Sequence, residues 1–180
     1  TQLLMIKGLD MNPVYLWLTE QALIGKITGN LHIIRTDFQD YRKEMKVIQD
    51  SLENEYLFRL ATDLSQEIDD LIIKNVNIFT VEATLKRNQD VWVHKDKIRA
   101  IVPNTQSMEY GNDARIIDGT GKTLMPGMFD MHTHNTKFRG ALHLAGRITS
   151  VRDLANNKQV KALSHQFNSN QIIGPRIVTF

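Results

Sequence analysis

The run 124–134, Leu-Met-Pro-Gly-Met-Phe-Asp-Met-His-Thr-His, constrains the fold more than any other stretch of this chain. Side chains two positions apart on a β-strand point to the same face, whereas in mid-helix that spacing turns them apart. A strand that ends here would therefore direct the imidazoles of His132 and His134 to one point. Neutral imidazole is the commonest metal ligand in proteins, and Zn²⁺ accepts it readily. The spacing predicts half of a metal site, with His132 and His134 as its ligands.

The flanking residues decide how much weight this pair carries, because His-x-His often arises by chance. The Pro-Gly pair at 126–127 is a turn signal. The apolar run 128–131 that follows it is typical of a short buried strand. Asp130 leaves two interpretations open: it orients the His132 imidazole from behind, or it is a simple turn or strand-start carboxylate.

Three motifs in the second half of the chain resemble a known family. The run 118–134, Asp-Gly-Thr-Gly-Lys-Thr followed by the eleven residues quoted above, resembles the entry into the barrel of the amidohydrolase superfamily. Residues 146–154, Gly-Arg-Ile-Thr-Ser-Val-Arg-Asp-Leu, with Asn156, are similar to the second barrel strand of its imidazolonepropionase-like and prolidase-like branch. Residues 174–178, Gly-Pro-Arg-Ile-Val, are similar to that branch's approach to strand three.

The resemblance extends upstream to 71–79 and 91–101, which are similar to the strands that open such enzymes, and it runs in order over residues 70–180. It implies an α/β fold: the start of a (β/α)8 metal-dependent hydrolase barrel, preceded by a small β-sandwich and an N-terminal α+β extension. The expected segments are 1–69 for the extension, 70–126 for the sandwich strands, and 127–180 for the first three strands of an incomplete barrel.

The activity implied by the resemblance is that of a metal-dependent amidohydrolase, which cleaves amide or other C–N bonds with metal-activated water. The implied cofactor is a divalent metal, with zinc as the expected ion, in one or two copies. The implied substrate is a small molecule, peptide-like or dipeptide-like, or a cyclic amide. Homo-oligomers are common in the family, although no residue here fixes an assembly, and the sequence does not indicate a compartment.

The length of the chain leaves two alternatives. A complete (β/α)8 barrel needs roughly 250 residues, and only residues 135–180 follow His134. The further ligands that the resemblance implies, a lysine or glutamate, two histidines and an aspartate, lie on later strands, so we assign no catalytic residue within this chain. The chain is either the N-terminal part of a longer enzyme or a truncated, non-catalytic fragment that acts at most as a binding or assembly module. Its start at Thr1 favours a processed or trimmed N-terminus.

Composition excludes several other classes of protein. A formal net charge of +2 does not indicate the strongly basic surface that is typical of nucleic-acid-binding proteins. No apolar run approaches the ~18 residues that a membrane span needs. The absence of cysteine excludes disulfide frameworks, thiolate metal sites and cysteine nucleophiles.

The N-terminal region predicts strands followed by a helix. Short β-rich runs at 14–18, 22–27 and 31–35 favour an antiparallel meander, with Gly29-Asn30 as one of its turns. A helical pattern then begins, with Thr36 or Asp37 as the N-cap. Its predicted apolar core stripe consists of Tyr41, Met45, Ile48 and Leu52, continued in a second helix by Tyr56, Leu57 and Leu60.

The rest of the chain predicts strands around 71–79 and 91–102, with a hairpin turn at Asp96-Lys97, and further strands at 115–118 and 123–125. Strand, helix, strand, helix, strand is then expected between residues 128 and 180, as in parallel βαβ units.

Some side chains outside the metal pair also carry predictions. Arg152 and Asp153 follow a barrel strand, which leaves two interpretations: they face the site, or they form an ion pair that supports the barrel rim. We expect His143 to lie near a helix and His165 on a polar helix face, neither as a ligand-binding residue. Gly121-Lys122-Thr123 resembles the end of a phosphate-binding loop, but Ile116 stands where that motif needs glycine.

Overall fold

The structure is a computed structural model that describes residues 1–9, 12–28, 31–155 and 157–179. Over these ranges the chain is mixed α/β, with several separate sheets, as predicted. It divides into two compact units: unit 1 combines Thr1–Leu64 with Met128–Phe180, and unit 2 is Ser65–Gly127. The three-segment division expected from the sequence stays a prediction. Within the described ranges, no helix is long and apolar enough to span a membrane.

The chain enters unit 1 as a four-stranded antiparallel meander whose strands pair in sequence order. Its strands are β1 (Gln2–Ile6), β2 (Val14–Leu18), β3 (Leu23–Thr28) and β4 (Leu31–Ile34). The predicted meander is confirmed, and β1 is an additional strand. The predicted turn at Gly29-Asn30 lies outside the described residues.

A 3₁₀ helix, Thr36–Tyr41, leads into a single long helix, α1 (Arg42–Leu64). The predicted N-cap is wrong: Arg35 occupies that position, and no side chain caps the first turn. Thr36 and Asp37 lie inside the 3₁₀ helix, which begins earlier than predicted, and the Asp37 carboxylate accepts from the Arg35 guanidinium at 2.5 Å. The second helix expected at 56–60 is also wrong, because neither proline nor glycine interrupts α1.

The buried face of α1 differs from the predicted apolar stripe. Tyr41, Ile48 and Leu52 are exposed. The buried side chains of the helix are Met45, Gln49, Leu57 and Ala61. A polar residue therefore occupies a core position, and the hydrophobic pattern fails there because Gln49 satisfies its amide inside the protein. Met45 packs with the buried residues of the meander, Trp17, Ile24 and Ile27.

Unit 2 is a mixed sheet built around one central strand. Its strands are β5 (Asp70–Phe79), β6 (Leu85–His94), β7 (Lys97–Pro103), β8 (Arg115–Asp118) and β9 (Thr123–Leu124). β6 pairs with β5 and β7 in antiparallel fashion, whereas β8 and β9 run parallel to β5. The predicted hairpin turn is confirmed to within one residue, with Lys95 in the left-handed region at φ 54°. One layer is therefore present, and the second layer of the expected β-sandwich stays a prediction.

The C-terminal part of unit 1 alternates strands and helices in the predicted order. Its elements are β10 (Met128–Thr133), α2 (Arg139–Ala145), β11 (Ile148–Asp153), α3 (Lys158–Asn168) and β12 (Arg176–Val178). The three strands form a parallel sheet with β11 in the centre. Asn157 caps α3 by accepting from the backbone N–H of Val160 at 3.0 Å. Asn156 and Phe180, which belong to the predicted motifs, lie outside the described residues.

The apolar run in β10 was expected to be buried, and this is wrong. Met128, Phe129 and Met131 are 48 to 58% exposed, whereas the polar Thr133 is buried. β10 is an edge strand whose one sheet neighbour is β11. Within the residues that the structure describes, no further layer of helices or strands covers its apolar side chains. They are therefore exposed although they are hydrophobic.

Candidate metal and substrate site

The two predicted metal ligands lie together at the carboxyl end of β10. His132 is on the strand, and His134 follows its last residue, Thr133. Their imidazole ring centres are 5.6 Å apart, with one ring edge-on to the other. Both side chains are exposed. The structure thus brings the pair together with accessible nitrogens.

The geometry of the pair fits a shared ion. With Zn–N bonds of ~2.1 Å, two imidazoles on one ion have ring centres roughly 5 to 6 Å apart, and the observed separation of 5.6 Å lies in that range. A structural zinc site needs four ligands, however. Over the described part of the chain, no group of three or more His, Cys, Asp or Glu side chains could hold a metal ion. The pair is thus suited to contribute two ligands of a larger set, and its metal role stays a prediction.

Asp130 contacts the backbone instead of the first imidazole. Its Oδ1 accepts from the backbone N–H of His132 at 3.0 Å. A carboxylate that accepts from the N–H two residues on is typical of local Asx-type turns. Of the two interpretations left open by the sequence, the structure favours the local backbone carboxylate.

Asp153 is the most buried charged residue beside the pair. It ends β11, is 0% exposed and lies opposite Thr133 in the strand register. Its Oδ2 accepts from the backbone N–H and the side-chain amide of Asn135 at 2.7 and 3.0 Å, and its Oδ1 accepts from the Ala155 N–H at 2.9 Å. Burial raises the pKa of this carboxyl, but these hydrogen bonds outweigh it and lower the pKa overall, with the positive field of His134 adding to them. The expected ion pair with Arg152 stays a prediction.

A cleft of about 870 Å³ opens at the carboxyl ends of β10 and β11. This volume is within the range of small-molecule sites. In parallel α/β sheets, ligands bind in the crevice at the carboxyl ends of strands. One side of the cleft carries His134, Asn135 and Asp153.

Further lining residues of the cleft come from α1 and α3. The α1 side chains at this surface are Lys46, Gln49, Asp50 and Glu53. From α3 and its cap come Asn157, Gln159, Leu163 and His165. Our sequence reasoning missed the α1 residues, because it interpreted this helix only through its apolar stripe. The spacing 46, 49/50, 53 is itself a one-face helical pattern, and it is the signal that could have found them.

Comparison with known proteins first gives short sequence matches. No protein-family model matches the chain. The chain is 41% identical over 63 residues to a dihydroorotase of Halalkalibacterium halodurans, which covers 35% of this chain and 14% of the relative. It is 40% identical over 68 residues to a 5'-deoxyadenosine deaminase of Methanococcus aeolicus, covering 35% of this chain and 16% of the relative. The matched segment therefore spans about a seventh of these relatives.

Solved structures match over a longer part of the chain. A prolidase-like protein from Bifidobacterium longum superposes with a TM-score of 0.56 at 26% identity, covering 63% of this chain and 30% of that one. Molinate hydrolase gives the same TM-score of 0.56 at 18% identity, covering 64% of this chain and 30% of that one, which shows a shared fold alone. In sequence over about a third of its length, and in fold over nearly two thirds, the chain thus resembles the amidohydrolase superfamily and its prolidase-like members, as its motifs predicted.

Proposed function

We propose that this chain is the N-terminal part of a metal-dependent amidohydrolase, which hydrolyses an amide or other C–N bond in a small-molecule or dipeptide-like substrate. The observation that carries the proposal is the accessible pair His132 and His134, 5.6 Å apart between ring centres, at the carboxyl end of β10. The names of the relatives support the reaction class, since dihydroorotase, deaminase and prolidase-like proteins are among them.

The proposal includes a finer architecture. β10, β11 and β12 would be the first three strands of a (β/α)8 barrel, in segment 127–180. The sheet of unit 2 would be one layer of a small β-sandwich, in segment 70–126, and segment 1–69 would be an α+β extension. The parallel pairing of the three strands supports this interpretation, because all strands of such a barrel are parallel. Active sites of these barrels lie at the carboxyl ends of the strands, which is where His132 and His134 are found.

His132 and His134 would hold the metal ion, with zinc as the expected metal in one or two copies. When bound there, a divalent ion would lower the pKa of its water toward ~7 and would so supply a nucleophile at neutral pH. The chain's own contribution is positional. Asp153 accepts from the backbone N–H and the side-chain NH₂ of Asn135, the residue that follows His134, and so limits the movement of the loop that carries this imidazole.

Zinc titration of the protein, followed by isothermal calorimetry, tests the ligand assignment. The double variant His132→Ala with His134→Ala should lose zinc binding at this site. The matched control is His32→Ala, a histidine on β4 outside the cleft, which should leave the binding unchanged. Equal zinc stoichiometry and affinity in the double variant and the unmodified protein would refute the assignment.

Catalysis is tested on the intact native protein loaded with zinc, by following release of proline from alanyl-proline and ring opening of dihydroorotate. Hydrolysis that depends on both histidines is the expected result. Zinc binding without hydrolysis of any C–N substrate would favour the alternative from the sequence, a non-catalytic fragment that acts as a binding or assembly module.

A further inference from the structure

Helix α1 supplies one wall of the cleft. Lys46, Gln49, Asp50 and Glu53 all line it, and their spacing places them on one face of the helix. Lys46, Asp50 and Glu53 are half-buried, in contrast with exposed neighbours such as Glu55. The wall that α1 contributes to the cleft is therefore polar and charged.

Two sets of hydrogen bonds fix this wall in place. Gln49, only 3% exposed, donates from Nε2 to the Ile27 carbonyl at 3.1 Å and to Glu53 Oε1 at 2.8 Å. Its Oε1 accepts from Trp17 Nε1 at 3.3 Å. In addition, Lys137 Nζ, on the loop after β10, donates to Asn54 Oδ1 at 2.7 Å. The helix is thus tied both to the meander and to the loop that carries His134.

The charges on this wall are not balanced. Lys46 and Asp50 pair with each other at 2.5 Å. Glu53, in contrast, accepts from the neutral amide of Gln49, and within the described ranges no lysine or arginine lies within ion-pair distance of it. A half-buried carboxylate without a cation is unfavourable, and a positively charged ligand group would compensate it.

The negative charge of Glu53 also affects Tyr15. The pKa of Tyr15 is raised, first by burial and second by the negative charge of Glu53. The Glu53 carboxylate thus lies close enough to Tyr15 for its negative charge to act there. Asp153, a further carboxylate of the cleft, differs because three N–H groups already satisfy it.

We propose that Glu53 of α1 determines substrate specificity by binding an ammonium group of the substrate. The cleft then takes amine-bearing small molecules, such as dipeptides with a free α-amino group. A volume of about 870 Å³ is sufficient for a ligand of that size. The inference rests on the proposed function for the reaction, but the recognition of the ammonium group is measurable without turnover.

The test is a calorimetric comparison of two ligands on the intact native protein. L-alanyl-L-proline carries the ammonium group, and N-acetyl-L-alanyl-L-proline lacks it. We expect the unmodified protein to bind the free amine about tenfold more tightly, the usual scale for a hydrogen bond to a charged group. Glu53→Gln should remove this preference, and Glu53→Asp, which keeps the charge, should retain part of it.

The matched control is Glu55→Gln on the exposed side of the same helix, where Glu55 pairs with Arg59. Because exposed pairs contribute little, this variant should keep the tenfold preference. An unmodified protein that binds both ligands equally or binds neither, or a folded Glu53→Gln that retains the preference, would overturn the inference. Loss of the preference in Glu53→Gln, combined with no hydrolysis by the zinc-loaded protein, would leave the inference standing and reject the proposed function.

Discussion

Asn135 donates two hydrogen bonds to a single oxygen of Asp153, from its backbone N–H at 2.7 Å and from its side-chain amide at 3.0 Å. The contact joins the loop after β10 to the end of β11. Because Asn135 follows His134 directly, the position of this imidazole depends on a buried carboxylate of the neighbouring strand. A residue predicted to form an ion pair thus acts by organising the backbone of the site.

Replacing Asp153 by alanine should lower the free energy of unfolding by about 2–4 kcal/mol, because three N–H donors lose their buried acceptor. Urea unfolding followed by circular dichroism measures the loss. The control is Asp63→Asn, an exposed carboxylate on α1, which should change stability by less than about 0.5 kcal/mol. Equal stability of the Asp153→Ala and Asp63→Asn variants would contradict this role.

Two glycines of unit 1 should respond differently to the same substitution. A Cβ added at Gly140 would overlap the Ile173 carbonyl oxygen and lie 2.7 Å from the Phe167 ring, whereas at Gly146 the nearest atom would be 3.4 Å away. Gly140→Ala should therefore destabilise the protein by about 1–3 kcal/mol through overpacking. Gly146→Ala should have little effect. Thermal unfolding compares the two variants, and similar melting temperatures would show that the contact around Gly140 relaxes freely.

Unit 2 should lose stability in acid through Asp70. Hydrogen bonds from the Trp92 indole at 2.5 Å and with His94 at 2.9 Å lower the pKa of this carboxyl. A carboxyl whose pKa is lower in the folded state stabilises the fold above its unfolded value of ~3.9, and this contribution is lost as pH falls through the folded pKa.

The indole N–H resonance of Trp92 reports this titration directly by NMR. We expect its midpoint below the ordinary carboxyl value, and we expect the titration to disappear in Asp70→Asn. The indole of Trp17, which donates to Gln49, is the internal control and should not follow the same curve. A Trp92 titration midpoint at or above ~3.9 would show that the pKa of Asp70 is not lowered in the folded protein, and would contradict the prediction.

Gln49→Ala should lower the free energy of unfolding by about 1–3 kcal/mol, because it leaves the Trp17 indole and the Ile27 carbonyl without their partner. Denaturant unfolding monitored by tryptophan fluorescence measures it. Gln39→Ala, an exposed glutamine just before α1, is the matched control. A loss no larger than that of Gln39→Ala would mean that water replaces these hydrogen bonds without cost.

Local patterns predicted most of the secondary structure. Apolar runs and turn residues act over short distances. They predicted the meander, the strands of unit 2, and the alternation of strands and helices after residue 128. The proximity of His132 and His134 was predictable for the same reason, since it depends only on the period of a strand.

Predictions that depended on tertiary contacts failed. The apolar side chains of β10 are exposed because burial depends on a covering layer, which the run itself does not encode. The place of Gln49 in the buried face of α1 depends on Trp17 and Ile27, residues 22 or more positions away. The helical spacing could have grouped the α1 residues of the cleft on one face, but not have shown that this face lines the same cleft as His134, because Glu53 and His134 come from distant parts of the chain.

Unit 1 is discontinuous in sequence, and this affects how the molecule can be made. Its core packs Leu57 of α1 against Val151, Phe167 and Ile177. During synthesis, α1 leaves the ribosome long before these partners, while the whole of Ser65–Gly127 is still to be translated. Met45 can pack on the meander at once, but Leu57 must wait, unpaired, for the last strand of the sheet. Chaperones or aggregation would compete for this exposed part of α1 during that interval.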